Sequence, residues 1–135
     1  MEDLSTAVIK LLKAKFTELG IDLTSSPWTV YSAIFARDKI NSKLELISFG
    51  SGIKCLPDIL INNHPESLVH DMHAEVLCRR AFISFIFNQL VELNENNNTK
   101  INNYLRYDQL SEKHYWNDDL ELLFYTSQSP CKKIC

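Results

Sequence analysis

His73-Ala74-Glu75 stands at the start of an apolar stretch, and Ser129-Pro130-Cys131 answers it far downstream. A neutral imidazole and a thiolate are both good zinc ligands. A glutamate two residues from the histidine is placed to shuttle protons for a water that the metal activates, without ligating the metal itself. Together these residue types point to hydrolysis of a C–N bond, that is, to hydrolytic deamination. A catalytic zinc commonly takes three protein ligands and one water, and spacing assigns only His73 and Cys131. The chain continues Lys132-Lys133-Ile134-Cys135, so the last two cysteines are spaced C-x-x-x-C. Cys135 is a poor third ligand, because a terminal residue is tethered on one side and costs more conformational entropy to order.

These residues need elements to position them. Leu4, Ala7, Val8, Leu11, Leu12, Phe16 and Leu19 recur at three and four, the period of an amphipathic helix, and Gly20 follows as a stop. Residues 28–36 are rich in β-branched and aromatic side chains, and residues 44–49 carry a strand-like alternation, so two antiparallel strands are expected, joined near 39–42. Gly50-Ser51-Gly52 ends the second strand, either as a plain turn or where the backbone approaches something closely. Residues 56–68, with two prolines and Asn62-Asn63, read as loop. From His73 the apolar residues Val76, Leu77, Ala81, Phe82, Phe85, Ile86, Leu90 and Leu93 predict a helix that is apolar over more than half its circumference and covered on most sides. His73 and Glu75 then fall in its first turn, where the partial positive charge of a helix start complements a carboxylate. Residues 94–119 are polar and asparagine-rich and predict a partly irregular surface insertion. Residues 120–126 form a short buried strand whose end delivers Ser129-Pro130-Cys131. The order helix, two strands, helix, strand predicts an α/β layered domain in which histidine and cysteine meet at one sheet edge.

At 135 residues and 45% apolar content, one core and one domain over 1–135 are expected. A net charge of −3 neither draws the chain to nucleic acid nor excludes it. Cys55, Cys78, Cys131 and Cys135 follow no disulfide framework, which predicts reduced thiols in the cytoplasm or nucleus; Cys55 and Cys78 read as core. No apolar stretch approaches the ~20 residues of a membrane span, and no protein partner is inferable.

A lone H-x-E is commonly a coincidence of two residues frequent in helices. Here the preceding Asp71 and the later Ser-Pro-Cys after an apolar strand supply the context of the zinc-deaminase signature, H-x-E followed by P-C-x-x-C. Nearly the whole chain resembles the deaminase domain of the RNA adenosine deaminase (A-to-I editing) family, and within it the tRNA-specific branch. The resemblance rests on Trp28-Thr29-Val30, Gly50-Ser51-Gly52-Ile53-Lys54-Cys55 where the family has Gly-x-Gly-Thr-Lys-Cys, His70-Asp71-Met72-His73-Ala74-Glu75-Val76, Arg79-Arg80, and Ser129-Pro130-Cys131. It implies a three-layer, mixed-sheet, cytidine-deaminase-like domain, and a tRNA substrate whose adenosine 3′ of the anticodon becomes inosine. It also implies Zn2+ held by His73 and Cys131, Glu75 as proton shuttle, and Lys54 near the substrate.

Arg79 and Arg80 match an arginine pair that in the family holds a buried inositol hexakisphosphate. Guanidinium groups suit phosphate, and two adjacent arginines on an apolar helix would be costly to bury without an anion; read without the family, both would snorkel to solvent. Two departures stand out. Ile53 replaces the family's threonine, removing a hydroxyl near the nucleotide. After Cys131 the family's Gly-Asp-Ala run, a second zinc cysteine and further basic residues are missing, so the domain is expected to be incomplete at its C-terminus. Two functions follow: a zinc-dependent tRNA adenosine deaminase, or a truncated, non-catalytic relative that acts by binding.

Overall fold

The structure, a computed structural model, describes residues 3–20, 29–55, 71–95 and 102–129, with the backbone alone for Ile53–Cys55 and Asp71. In chain order its elements are α1 (Leu4–Glu18), β1 (Tyr31–Asp38), β2 (Leu44–Ser51), β3 (Ile53–Cys55), β4 (Asp71–His73), α2 (Ala74–Glu95), β5 (Leu105–Asp108), β6 (Lys113–Trp116) and β7 (Leu120–Thr126). The expected loop over 56–68, Trp28, and the cysteines Cys131 and Cys135 lie outside the described residues.

The three-and-four apolar spacing of α1 puts Val8, Leu12 and Phe16 on one buried stripe. That stripe packs on Ala33 and Phe35 of β1, with Leu44, Leu46, Phe49, Leu123 and Tyr125 around them. Phe16 meets Phe49 edge-on at 5.5 Å and Tyr31 at 5.1 Å between ring centroids, geometries that suit the aromatic quadrupole. The sheet beneath has the order β2-β1-β7, antiparallel at both junctions. Successive strand residues point to opposite faces, so Ser32, Ile34 and Ser48 face away from α1. Ser48 Oγ lies 3.5 Å from the Cys78 Sγ of α2. The described residues therefore form three layers, helix, sheet and helix, in agreement with the layered α/β expectation. Among the described residues every strand pair is antiparallel, where a mixed sheet was implied.

In β2 the apolar residues change parity, from Leu44 and Leu46 to Phe49. A strict period of two would send one set to the wrong face. The register answers this with a bulge: Ile34 pairs Ser48 and Phe35 pairs Leu46, leaving Ile47 as the extra residue. Leu44, Leu46 and Phe49 thereby all reach the α1 side.

Two expectations need correction. His73 closes β4 instead of opening the helix, because its backbone pairs with Ile53 and the helix starts at Ala74, whose N–H donates to the Gly52 carbonyl at 3.1 Å. Thr29 and Val30 likewise precede β1. Secondly, α2 is not covered on most sides. Its buried residues are Ala74, Cys78, Gln89 and Leu93, while Phe87 is 63% and Val91 52% exposed. Apolar content fixed no single stripe, and one face alone meets the sheet. Within the expected insertion over 94–119, α2 runs to Glu95 and β5 and β6 form a hairpin; residues 96–101 lie outside the described residues.

One asparagine of this segment, Asn102, caps the hairpin. Asn102 Oδ1 accepts from the N–H groups of Tyr104 (2.9 Å) and Leu105 (2.6 Å), and its Nδ2 donates to Gln89 Oε1 at 2.9 Å. Tyr104 stacks edge-on against Phe85 at 4.9 Å, Trp116 lies 6.2 Å from Phe82, and the Tyr104 hydroxyl donates to Glu45 at 2.8 Å. Burial, then the bond to Glu45 and the carboxylates of Glu45 and Glu92, pushes the Tyr104 phenol up to about 12.

Phe35, wholly buried between the layers, is the side chain whose loss leaves the largest void. Phe35→Ala should lower the unfolding free energy by about 3–5 kcal/mol in urea titrations, and Phe35→Leu by clearly less.

Candidate active site

The site begins with two glycines. A Cβ at Gly50 would collide with the Ala74 carbonyl oxygen, the Cys78 amide nitrogen and the Leu77 side chain, and one at Gly52 with the Met72 carbonyl oxygen. The close-approach reading of Gly50-Ser51-Gly52 is thus the one the structure adopts. Gly50 lets the first turn of α2 sit directly on β2. Gly52 is a joint: its N–H donates to the Val30 carbonyl at 3.1 Å and its carbonyl accepts from Ala74. From it β3 departs and pairs with β4, setting Lys54 across from Met72 and Ile53 across from His73. The His73 segment is therefore laid against the Gly-x-Gly turn by backbone bonds alone, before any side chain is considered.

The other half of the site arrives on β7. Register places Gly50, Ser32 and Thr126 in one row across β2, β1 and β7, at the sheet end over which α2 begins. One step further, Tyr31 pairs Ser51, and the Ser127 N–H donates to the Tyr31 carbonyl at 2.9 Å. β7 thus ends, at Thr126 and Ser127, at the end of the sheet where His73 and Glu75 stand. Cys131 itself is beyond the described residues, and so is its distance from His73.

His73 is half-buried. Glu75, the second residue of α2 and half-buried, lines a groove of about 490 Å³ with Val76, Arg79 and Phe82 of α2, Ile34 of β1, and Leu122, Leu123 and Phe124 of β7. Glu75 and Arg79 are one turn apart and share a helix side. Arg79 and Arg80 are both exposed; as consecutive helical residues they diverge by about 100°, and Arg79 alone lines the groove. Both are accessible to a solution polyanion. Lys54 lies on β3 by its backbone. Cys78 is fully buried, as expected of a core cysteine, and burial raises its thiol above the usual range against the lowering effect of its Ser48 bond.

Among the described residues no three His, Cys, Asp or Glu side chains group to hold a metal. His73 and Glu75, an imidazole and a carboxylate two residues apart at the start of α2, are donor types that would suit one side of a zinc site. Reading by residue type overlooked Ser32, Thr126 and Ser127, whose only sequence signal is hydroxyls at the ends of otherwise apolar strands.

Residues 48–134, more than half of the chain, match the model of the adenosine-deaminase (editase) domain, and the chain belongs to that family. The match spans the Gly-x-Gly turn, His73, Glu75 and Cys131. Among curated relatives it is 28% identical over 106 residues to tRNA-specific adenosine deaminase 1 of Saccharomyces cerevisiae, covering 77% of this chain and 26% of that protein. It is 26% identical over 113 residues to the Drosophila melanogaster protein of the same name, covering 83% and 26%. It is 29% identical over 134 residues to double-stranded RNA-specific editase B2 of Mus musculus, covering 96% and 18%. The chain therefore spans about a quarter of the length of these tRNA-deaminase relatives.

The seating of α2 on β2 gives a direct test. Gly50→Ala forces backbone apart and should cost at least the ~1–3 kcal/mol of core overpacking, lowering the melting temperature. Gly20→Ala, where no atom lies within 4 Å of the added Cβ but φ is +69°, should perturb α1 alone and leave hydrogen exchange in residues 71–78 unchanged.

Proposed function

We propose that this chain carries the histidine-and-glutamate portion of a zinc-dependent hydrolytic deaminase that converts adenosine in RNA to inosine. The observation that supports it best is the convergence of His73, Glu75 and the β7 end on one end of the sheet, within a chain of the adenosine-deaminase (editase) family. A tRNA substrate, edited at the adenosine 3′ of the anticodon, is the finer reading. It is supported by relatives in yeast and fly named for tRNA, and the double-stranded RNA editase relative names the competing substrate.

In this reading zinc is held by His73 and Cys131 with a third ligand from outside the described residues, and when bound it supplies a Lewis acid that makes water nucleophilic near neutral pH. Glu75 takes the proton of the attacking water and returns it to the leaving amine. The water oxygen bonds to C6 of adenine, the C6–N6 bond breaks, and ammonia departs, leaving inosine. The first turn of α2 directs backbone N–H groups and a partial positive charge toward the developing negative charge. Lys54, on the strand paired beside His73, serves the substrate. Arg79 and Arg80 take inositol hexakisphosphate, for which exposed guanidinium groups on one helix turn are suitable donors. The activity is that of the whole protein, and the cysteine usage of this chain supports a reducing cytoplasm or nucleus.

Metal analysis of the purified chain should find zinc that His73→Ala and Cys131→Ala lose; equal zinc in all three removes the metal assignment. Glu75→Gln should keep the zinc and lose about 10²–10⁴-fold in inosine formation, measured on a tRNA transcript beside a double-stranded RNA. Near-normal turnover by Glu75→Gln would refute the proton-shuttle role, and faster editing of the duplex would replace the tRNA assignment.

A further inference from the structure

The groove beside Glu75 reaches well past the reacting end of the sheet. Glu75 and Phe82, which both line it, lie about 10 Å apart along α2 at ~1.5 Å per residue. Its opposite wall is β7, whose Leu122 and Phe124 pair with Ala36 and Ile34 and share the face of the sheet that meets α2. Because α2 lies mainly over β2 and β1, the outermost strand is bare on that face, and Leu122 and Phe124 are exposed. Apart from Glu75 and Arg79 the lining is apolar: Ile34, Val76, Phe82, Leu122, Leu123 and Phe124. At about 490 Å³ the groove falls within the ~300–1,000 Å³ range of small-molecule sites. Phe124 stands two residues back from Thr126, about 7 Å of strand, so it lies beside the reacting end and not at it.

We propose that this groove is a subsite for the nucleotide next to the adenosine being deaminated, with Phe124 as the ring on which its base stacks. The proposal rests on the reading of Glu75 given above. An enzyme that works on a base within RNA takes that base out of its stack, and the neighbouring base then loses a stacking partner on one face. An exposed aromatic ring one step from the reacting group replaces that partner. The step of about 7 Å along β7 exceeds the ~3.4 Å per nucleotide of a stacked strand. The neighbour is therefore held splayed from the target, the form in which aromatic side chains recognise RNA bases. Glu75 lines the groove from α2 and Phe124 from β7, so one cleft serves both bases. Stacking accepts any base but favours the larger purine rings, which makes Phe124 a determinant of the sequence beside the edited adenosine.

The test measures binding of the full chain to a short single-stranded RNA with one adenosine between two guanosines, and to the same RNA with either guanosine made abasic. The wild-type chain should bind one of the abasic RNAs about tenfold more weakly, as the loss of one base–aromatic stack implies. Phe124→Leu keeps an apolar side chain but removes the ring. It should bind the intact RNA about tenfold more weakly and lose its sensitivity to that abasic site, while Phe124→Trp should keep both. Equal affinities of the wild-type chain for the three RNAs overturn the proposal, as does an abasic effect that persists in Phe124→Leu or a wild-type chain that binds none of them. If Phe124→Leu alters the sedimentation of the chain and leaves RNA affinity unchanged, the wall serves a protein contact and the proposal is overturned. Glu75→Gln separates the two readings. Near-normal inosine formation by that variant removes the role of Glu75, while a ring-dependent abasic effect still upholds the base subsite; without that effect the subsite is overturned even where Glu75→Gln is inactive.

Discussion

The contact on which the rest of this structure depends is the seating of the first turn of α2 on β2 at Gly50. The Ala74 carbonyl, the Cys78 amide and the Leu77 side chain occupy the space a Cβ would take. Interiors pack at crystal-like density, so a helix that approaches a strand this closely has little latitude in height or rotation. Where the helix starts is then determined by the joint at Gly52, whose carbonyl receives the Ala74 N–H. His73 and Glu75 flank that start and inherit its placement. A side chain two residues from a rigid joint is held more precisely than one on a free loop.

Polar groups near this contact are few and partnered. Ser48 lies against Cys78 at 3.5 Å, and Cys78 also donates to the Ser48 carbonyl at 3.6 Å. Ser32 is joined to Thr126. Small residues in these rows admit the helix, and their hydroxyl and thiol groups satisfy one another within the layer, which keeps burial from becoming a penalty. The opposite face carries the conventional core of Val8, Leu12, Phe16 and Phe35. The sheet therefore separates a stability side, large and apolar, from a site side built of small residues.

The groove beside Glu75 follows from the same geometry. β7 lies outermost in the three-stranded sheet, and Leu122 and Phe124 stand 43% and 56% exposed along it. Leu122 and Phe124 with Val76 and Phe82 give Glu75 an apolar wall on one side of its groove. The hairpin of β5 and β6, fastened by Tyr104 and Trp116 onto Phe82 and Phe85, braces α2 from the far end.

Much of this was legible in the sequence. The periodicity of α1, the strands around residues 31–38, 44–51 and 120–126, and the burial of Cys78 follow from side-chain period and polarity, which are local properties. The H-x-E motif and its family context follow from residue identity alone. Local patterns could not decide the rest. Whether Gly50 marked a turn or a close approach depended on what lay above it, and that was Ala74, distant in sequence. The parity change in β2 required a bulge, but only the partner strand located it at Ile47. The β5–β6 hairpin within the asparagine-rich segment was not legible because its anchors, Asn102 to Gln89 and Tyr104 to Glu45, are long-range. His73 fell on a strand instead of a helix for the same reason: backbone pairing with Ile53 is a property of two segments brought together, and no period within either one announces it.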